Sequence, residues 1–188
     1  MNRHDRLSLR LPVDQPLDQF SAGDVVLLSG VLYTARDAAH KRLLESIEKQ
    51  ESLPFALPQA AIYYVGPTPA RPGQVIGSAG PTSSYRMDAY APALLDLGVK
   101  VMIGKGRRSQ EVIASIIQNQ ALYLGAIGGA AALISQTIRS STVIAYDDLG
   151  TEAIRKIEVV DFPATVIIDT QGNNLYDTGP AAYLQSKE

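Results

Sequence analysis

The sequence predicts an α/β fold, and three observations carry that prediction. Strand-like apolar runs alternate with segments of helical period along the chain. Trp is absent and Phe occurs three times, so the core rests on Val, Ile, Leu and Ala. No internal repeat and no shift of composition divides the 188 residues, which are therefore read as one domain over residues 1–178 and a surface tail over residues 179–188.

Each element has its own signal. Leu7, Leu9 and Leu11 alternate with Ser8 and Arg10, the period of a half-buried strand. Residues 24–30 (DVVLLSG) form a second, more buried strand. A helix follows over Thr34 to Glu51, with Thr34 as N-cap, Asp37 at the capping-box position and a stripe of Ala39, Leu43 and Ile47; it ends before Pro54. Residues 60–65 (AAIYYV) make a strand that runs into a loop stiffened by Pro67, Pro69 and Pro72. Short strand 75–78 precedes the Gly80 to Asp88 loop, and a helix from Asp88 stops at Gly98. Strand 100–103 leads through Gly104-Lys105-Gly106 to a helix over 109–118. The last third adds strand 121–124, a small-residue helix near 128–138, strand 142–146, a helical turn after Asp148, strands 155–160 and 165–169, and a turn over 171–174.

Charge and composition remove whole classes of function. Lys plus Arg is 17 against 19 Asp plus Glu, a net charge of −2, so the chain has no bulk attraction for nucleic acid or an anionic membrane, and any anion site is local. The absence of cysteine excludes disulfides, thiolate metal sites and a nucleophilic thiol supplied by this chain. The first ten residues are too polar for a signal peptide and the run from Tyr123 to Ile134 is too short to span a bilayer, so a cytoplasmic protein is expected. Two histidines are present, His4 and His40, and no Gly-x-Ser-x-Gly elbow accompanies them, which argues against a Ser-His-Asp hydrolase. Gly104-x-Gly106 and Gly125-x-x-Gly128-Gly129 do not complete a dinucleotide fingerprint.

One constellation points to chemistry. Arg36, the Thr82-Ser83 pair with Arg86, and Lys105 all fall in strand-to-helix connections. In open α/β sheets these connections gather at the carboxyl ends of the strands, where ligands bind. Two guanidinium forks and an ammonium beside hydroxyls suit a small ligand with two carboxylates. Taken singly, each cation also reads as a solvated surface charge.

The residues around these positions resemble the β subunit, or C-terminal domain, of the class I iron–sulfur fumarate hydratase and L-tartrate dehydratase family. The resemblance runs from Gly23 to Tyr176, through Thr34-Ala35-Arg36-Asp37-Ala38-Ala39-His40, Tyr64-Val65-Gly66-Pro67, Gly80-Pro81-Thr82-Ser83-Ser84-Tyr85-Arg86-Met87-Asp88, Gly104-Lys105-Gly106, Asp148-Leu149-Gly150 with Glu152, and Asp161-Phe162-Pro163-Ala164. It implies a swivelling β/β/α domain in a hetero-oligomer with an α subunit that carries three cysteines and a [4Fe–4S] cluster, this chain binding none alone. It further implies that Arg36, Arg86 and Lys105 bind the carboxylates, with Ser83 beside them, and that the catalytic Thr82 sits next to the carbon that gains or loses a proton. Ser83 stands where the family often has a second Thr, keeping the hydroxyl without the methyl. Asp37 and His40 keep two readings each: Asp37 as helix-start group or substrate contact, and His40 as packed support or substrate contact. The implied reaction is hydration of fumarate to malate, with dehydration of tartrate as the alternative. A dicarboxylate-binding domain without catalysis is the reading from another class.

Overall fold

A computed structural model describes residues 7–126 and 131–179, with only the backbone of residues 131–132. The expected tail beyond residue 179, His4, and Gly128 and Gly129 of the small-residue segment lie outside the described residues. The chain runs β1 (Leu7–Leu11), β2 (Val25–Thr34), α1 (Asp37–Glu48), β3 (Ala61–Tyr63), the 3-10 turn Ser84–Met87, α2 (Ala91–Asp96), β4 (Val101–Gly104), α3 (Gln110–Gln118), β5 (Leu122–Gly125), α4 (Ala131–Thr137), β6 (Ile138–Ala145), the 3-10 segment Asp147–Glu152, and β7 (Ile154–Ile168).

The seven strands make one mixed sheet in the order β1-β2-β3-β4-β5-β7-β6, with β2 also paired to β7. Neighbours from β1 to β5 are parallel, and β7 is antiparallel to β2, β5 and β6. The inner parallel strands β3, β4 and β5 are buried on both faces, as expected where one face meets helices and the other meets more sheet, whereas β1 leaves Ser8 and Arg10 exposed. In β3, Ala61 and Tyr63 point into the core shared with Leu28, Phe162 and Val166. Ile62 and the following Tyr64 point the other way, into the core under Leu43 of α1, Leu94 and Leu95 of α2, and Val112 and Ile116 of α3. Because β7 pairs with both β2 and β5, the strands β2-β3-β4-β5-β7 close on themselves around the first core, and α1 to α3 cover the outer face over the second.

Four local expectations are corrected. Thr34 is not a helix cap: it is fully buried at the end of β2, where its hydroxyl oxygen accepts from the Arg155 amide at 3.0 Å. The N-cap position falls to Arg36, which makes no side-chain cap, and Asp37 turns away from the capping-box partner. Residues 75–78 form no strand, because the Gly66 to Gly80 loop closes on itself, with the Ser78 amide donating to Thr68 Oγ1 at 2.8 Å. The two expected strands 155–160 and 165–169 are one, β7, because Asp161 adopts φ 54° and donates its amide to Ser29 Oγ at 3.0 Å, carrying the strand past Pro163.

Candidate functional site

The carboxyl ends of three adjacent parallel strands define one edge of the sheet. β2 ends at Thr34, two residues before Arg36; β3 ends at Tyr63; β4 ends at Gly104, immediately before Lys105. The Gly80 to Asp88 loop returns to the same edge, since the Thr82 amide donates to the Tyr64 carbonyl at 2.7 Å and the Ser84 amide to the Lys105 carbonyl at 2.8 Å. Ser83 and Lys105 face each other as a parallel bridge. The order of the strands thus assembles the three cation-bearing loops from positions far apart in sequence.

Arg36 and Arg86 meet through Asp37. Asp37 Oδ2 accepts from Arg86 Nη2 at 2.8 Å, and Asp37 Oδ1 lies 3.8 Å from Arg36 Nη2. Arg36 Nη2 pairs in turn with Glu152 Oε1 at 3.1 Å. Gly66 is what lets the loop after β3 lie against this guanidinium: a Cβ there would stand 2.9 Å from Arg36 Nη1 and 3.2 Å from the Thr151 carbonyl oxygen. Lys105 is exposed and pairs with no carboxylate among the described residues. Thr82 and Ser83 are half-buried, and their hydroxyls make no hydrogen bond among the described residues, so both stay available to a ligand.

His40 lies beneath the site. It is fully buried, edge-on to Tyr64 at 5.3 Å between ring centroids, and its Nδ1 stands 2.9 Å from the Arg36 carbonyl oxygen. A carbonyl only accepts, so Nδ1 carries the proton and Nε2 is a bare acceptor, buried without a partner. Burial, with the nearby Arg108 charge, lowers its pKa from 6.5 to about 4 against the opposing pulls of the Arg36 carbonyl and Asp37. The imidazole therefore supports the backbone of Arg36 as a neutral ring.

This burial has a consequence for stability. The unfolded chain takes up a proton at His40 near pH 6.5, whereas the folded chain resists until about pH 4, so stability is full above pH 6.5 and falls as the pH drops through that interval. The loss attributable to His40 is of order 3 kcal/mol. Melting curves of wild type and His40→Asn from pH 7.5 to 4 should show the wild type losing stability more steeply; parallel profiles would contradict a neutral buried His40.

Sequence reasoning missed two features. Arg108 is buried with Asp88, donating from Nε to Oδ1 at 2.7 Å, and sits over the rings of Tyr64 and Tyr123 at 5.4 and 4.9 Å. Asp88 Oδ2 accepts from the Ser109 amide at 2.6 Å, so this pair ties the end of the Thr82 loop to the start of α3. Glu152 is the other. Its two oxygens contact Arg36 and the Ala38 amide, and nothing in local spacing announces a partner 114 residues away.

No donor set here suits an iron–sulfur cluster. The chain has no cysteine, and among the described residues no group of three or more His, Cys, Asp or Glu side chains could hold a metal ion. What the edge can do is bind an anion through directed N–H donors, next to two unengaged hydroxyls. Among the described residues no helix is long and apolar enough to cross a membrane.

The chain is similar to known proteins over most of its length. A family model described as Fumarase C-terminus matches residues 2–179. Fumarate hydratase 2 of Leishmania major is 39% identical over 176 residues, covering 91% of this chain and 31% of the relative. The aerobic class I fumarate hydratase of Escherichia coli K12 is 40% identical over 176 residues, covering 91% of this chain and 32% of the relative. A relative described as a putative L(+)-tartrate dehydratase subunit beta, from Methanocaldococcus jannaschii, is 36% identical over 165 residues and covers 85% of both chains. The chain thus spans about a third of the length of the fumarate hydratases it matches.

Proposed function

The chain belongs to the Fumarase C-terminus family, and on that premise we propose that it is the dicarboxylate-binding part of a hydro-lyase that interconverts fumarate and malate by reversible hydration. The observation that carries the reading is the convergence of Arg36, Arg86 and Lys105 on one sheet edge beside the free hydroxyls of Thr82 and Ser83. Its match along 85% of a tartrate dehydratase β subunit supports the further reading that the chain works as a separate subunit, and keeps tartrate as the alternative substrate.

The chemistry follows from charge. Taking a proton from a carbon next to a carboxylate drives negative charge onto that carboxylate, and cations held against it lower the barrier. Arg36, Arg86 and Lys105 hold the two carboxylates, and the Thr82 hydroxyl stands beside the reacting carbon. The closed sheet is the rigid frame on which such a domain would swivel to close the site. An iron–sulfur cluster, for which this chain offers no ligands, belongs in the proposal to a partner α subunit that supplies the remaining catalytic groups, and no step assigned to this chain runs through it.

Mixing the purified chain anaerobically with the reconstituted α subunit tests the reading. Fumarate loss, followed by ultraviolet absorbance, should appear in the mixture and not with this chain alone; an inactive mixture toward fumarate, malate and tartrate would leave only a binding role. In the active complex, Thr82→Val should lower kcat by about 100-fold or more with little change in KM. A loss of melting temperature with normal kcat would instead make Thr82 structural.

A further inference from the structure

Resting on that reading, we propose that Asp37 and Glu152 are positioning residues: a carboxylate brace in which Asp37 sets Arg86 and Glu152 sets Arg36 for the substrate. Arg36 and Arg86 lie on different loops, and their guanidinium groups repel each other and carry high rotamer freedom. Asp37, at the first turn of α1, takes Arg86 Nη2 at 2.8 Å and turns its other oxygen toward Arg36, 3.8 Å away, where it is buried without a hydrogen bond. Glu152 approaches from the segment before β7 and does two things at once. Oε1 pairs with Arg36 at 3.1 Å, and Oε2 accepts from the Ala38 amide at 3.1 Å. That amide is one of the unsatisfied donors at the start of α1, and the N-cap residue, Arg36, has no side-chain acceptor to offer it. Glu152 therefore fixes the guanidinium and the helix start as one unit.

The segment carrying Glu152 is itself anchored. Arg42 on α1 makes a two-point pair with Asp148 at 2.7 and 2.5 Å and stacks over Tyr146 at 5.3 Å, which holds the Asp147–Glu152 segment against the helix. Gly66 lies against Nη1 and Cδ of the same Arg36. One nitrogen of each arginine is thus committed to a protein carboxylate, leaving further N–H donors for a ligand. The two carboxylates cancel the charge of the two guanidinium groups, so Lys105 alone sets the net sign of the cluster. Attraction of a dianion then depends on aimed donors more than on net field, which makes their placement decisive.

The charge balance gives the test opposite signs. If Asp37 and Glu152 only diluted positive charge, Asp37→Asn and Glu152→Gln would tighten substrate binding and lower KM. As positioning residues, each substitution should lower kcat/KM about 10- to 100-fold in the assembled hydratase, through both KM and kcat. Asp37 acts through Arg86, so Asp37→Asn combined with Arg86→Met should be no worse than Arg86→Met alone. Asp37→Glu, which keeps the charge, should recover part of the loss, and melting temperatures measured alongside separate misfolding from misplacement. Losses that multiply in the double variant, or a kcat/KM unchanged or raised in Asp37→Asn and Glu152→Gln while Arg86→Met is crippled, overturn the brace and leave the dicarboxylate reading standing. Normal kinetics in Arg86→Met overturns both.

Discussion

Replacing Arg36 with Met in the proposed hydratase complex is expected to lower kcat/KM by about 30-fold to several-thousand-fold, and Arg86→Met and Lys105→Met should fall in the same range. Each removes a cation that the proposal pairs with a substrate carboxylate, and losing such a charge-assisted contact in a closed site costs about 2–5 kcal/mol. The three need not be equal. Arg36 is the most enclosed, with a side chain 20% exposed against 40% for Arg86, and it also holds Glu152, so its loss strands a protein carboxylate as well as removing the proposed ligand contact. Lys105 makes no ion pair among the described residues, so Lys105→Met should change kinetics with the least change in melting temperature. Steady-state kinetics and thermal melts on all three would decide the matter. Near-normal kinetics in properly melting variants would reduce the cations to solvated loop charges.

The second large effect concerns the frame. Gly30, near the middle of β2, has φ +119°, and a Cβ there would lie 2.0 Å from the Leu11 carbonyl oxygen of β1. The nearest atoms are all Leu11 backbone, so there is no flexible side chain to move aside. Gly30→Ala should therefore cost about 3–5 kcal/mol, combining a strained backbone with overpacking. For a chain of this size that is a fall of roughly 6–20 °C in melting temperature. A melting temperature within about 2 °C of wild type would show that β1 and β2 are not tied as described.

How far the sequence could be read depended on whether a signal was local. The parallel strands and α1 were legible because both depend on short-range pattern: runs such as AAIYYV are buried on both faces, and Ala39 and Leu43 form the buried stripe of α1. The cation-bearing loops were legible for a related reason, since a cation just after a strand must sit at that strand's carboxyl end. Thr34 misled because a threonine before a helical pattern resembles a cap, while its actual partners, Arg155 and Ala153, arrive from β7 and the residue before it. The unity of β7 was hidden by Asp161 and Pro163, whose turn-like pairing is absorbed by a contact with Ser29, 132 residues earlier. The brace had the same character. Asp37 could be read as a helix-start group or a substrate contact, and Glu152 only as one residue of a family-like block, because what each holds comes from another loop.

A crystal structure of the assembled hydratase with malate bound tests the central claim most directly. The expected result is malate at the edge formed by the ends of β2, β3 and β4, its two carboxylates held by Arg36, Arg86 and Lys105, with the Thr82 hydroxyl beside the carbon that exchanges its proton and Asp37 and Glu152 still against the arginines. Malate held elsewhere, with these three cations facing solvent, would contradict it.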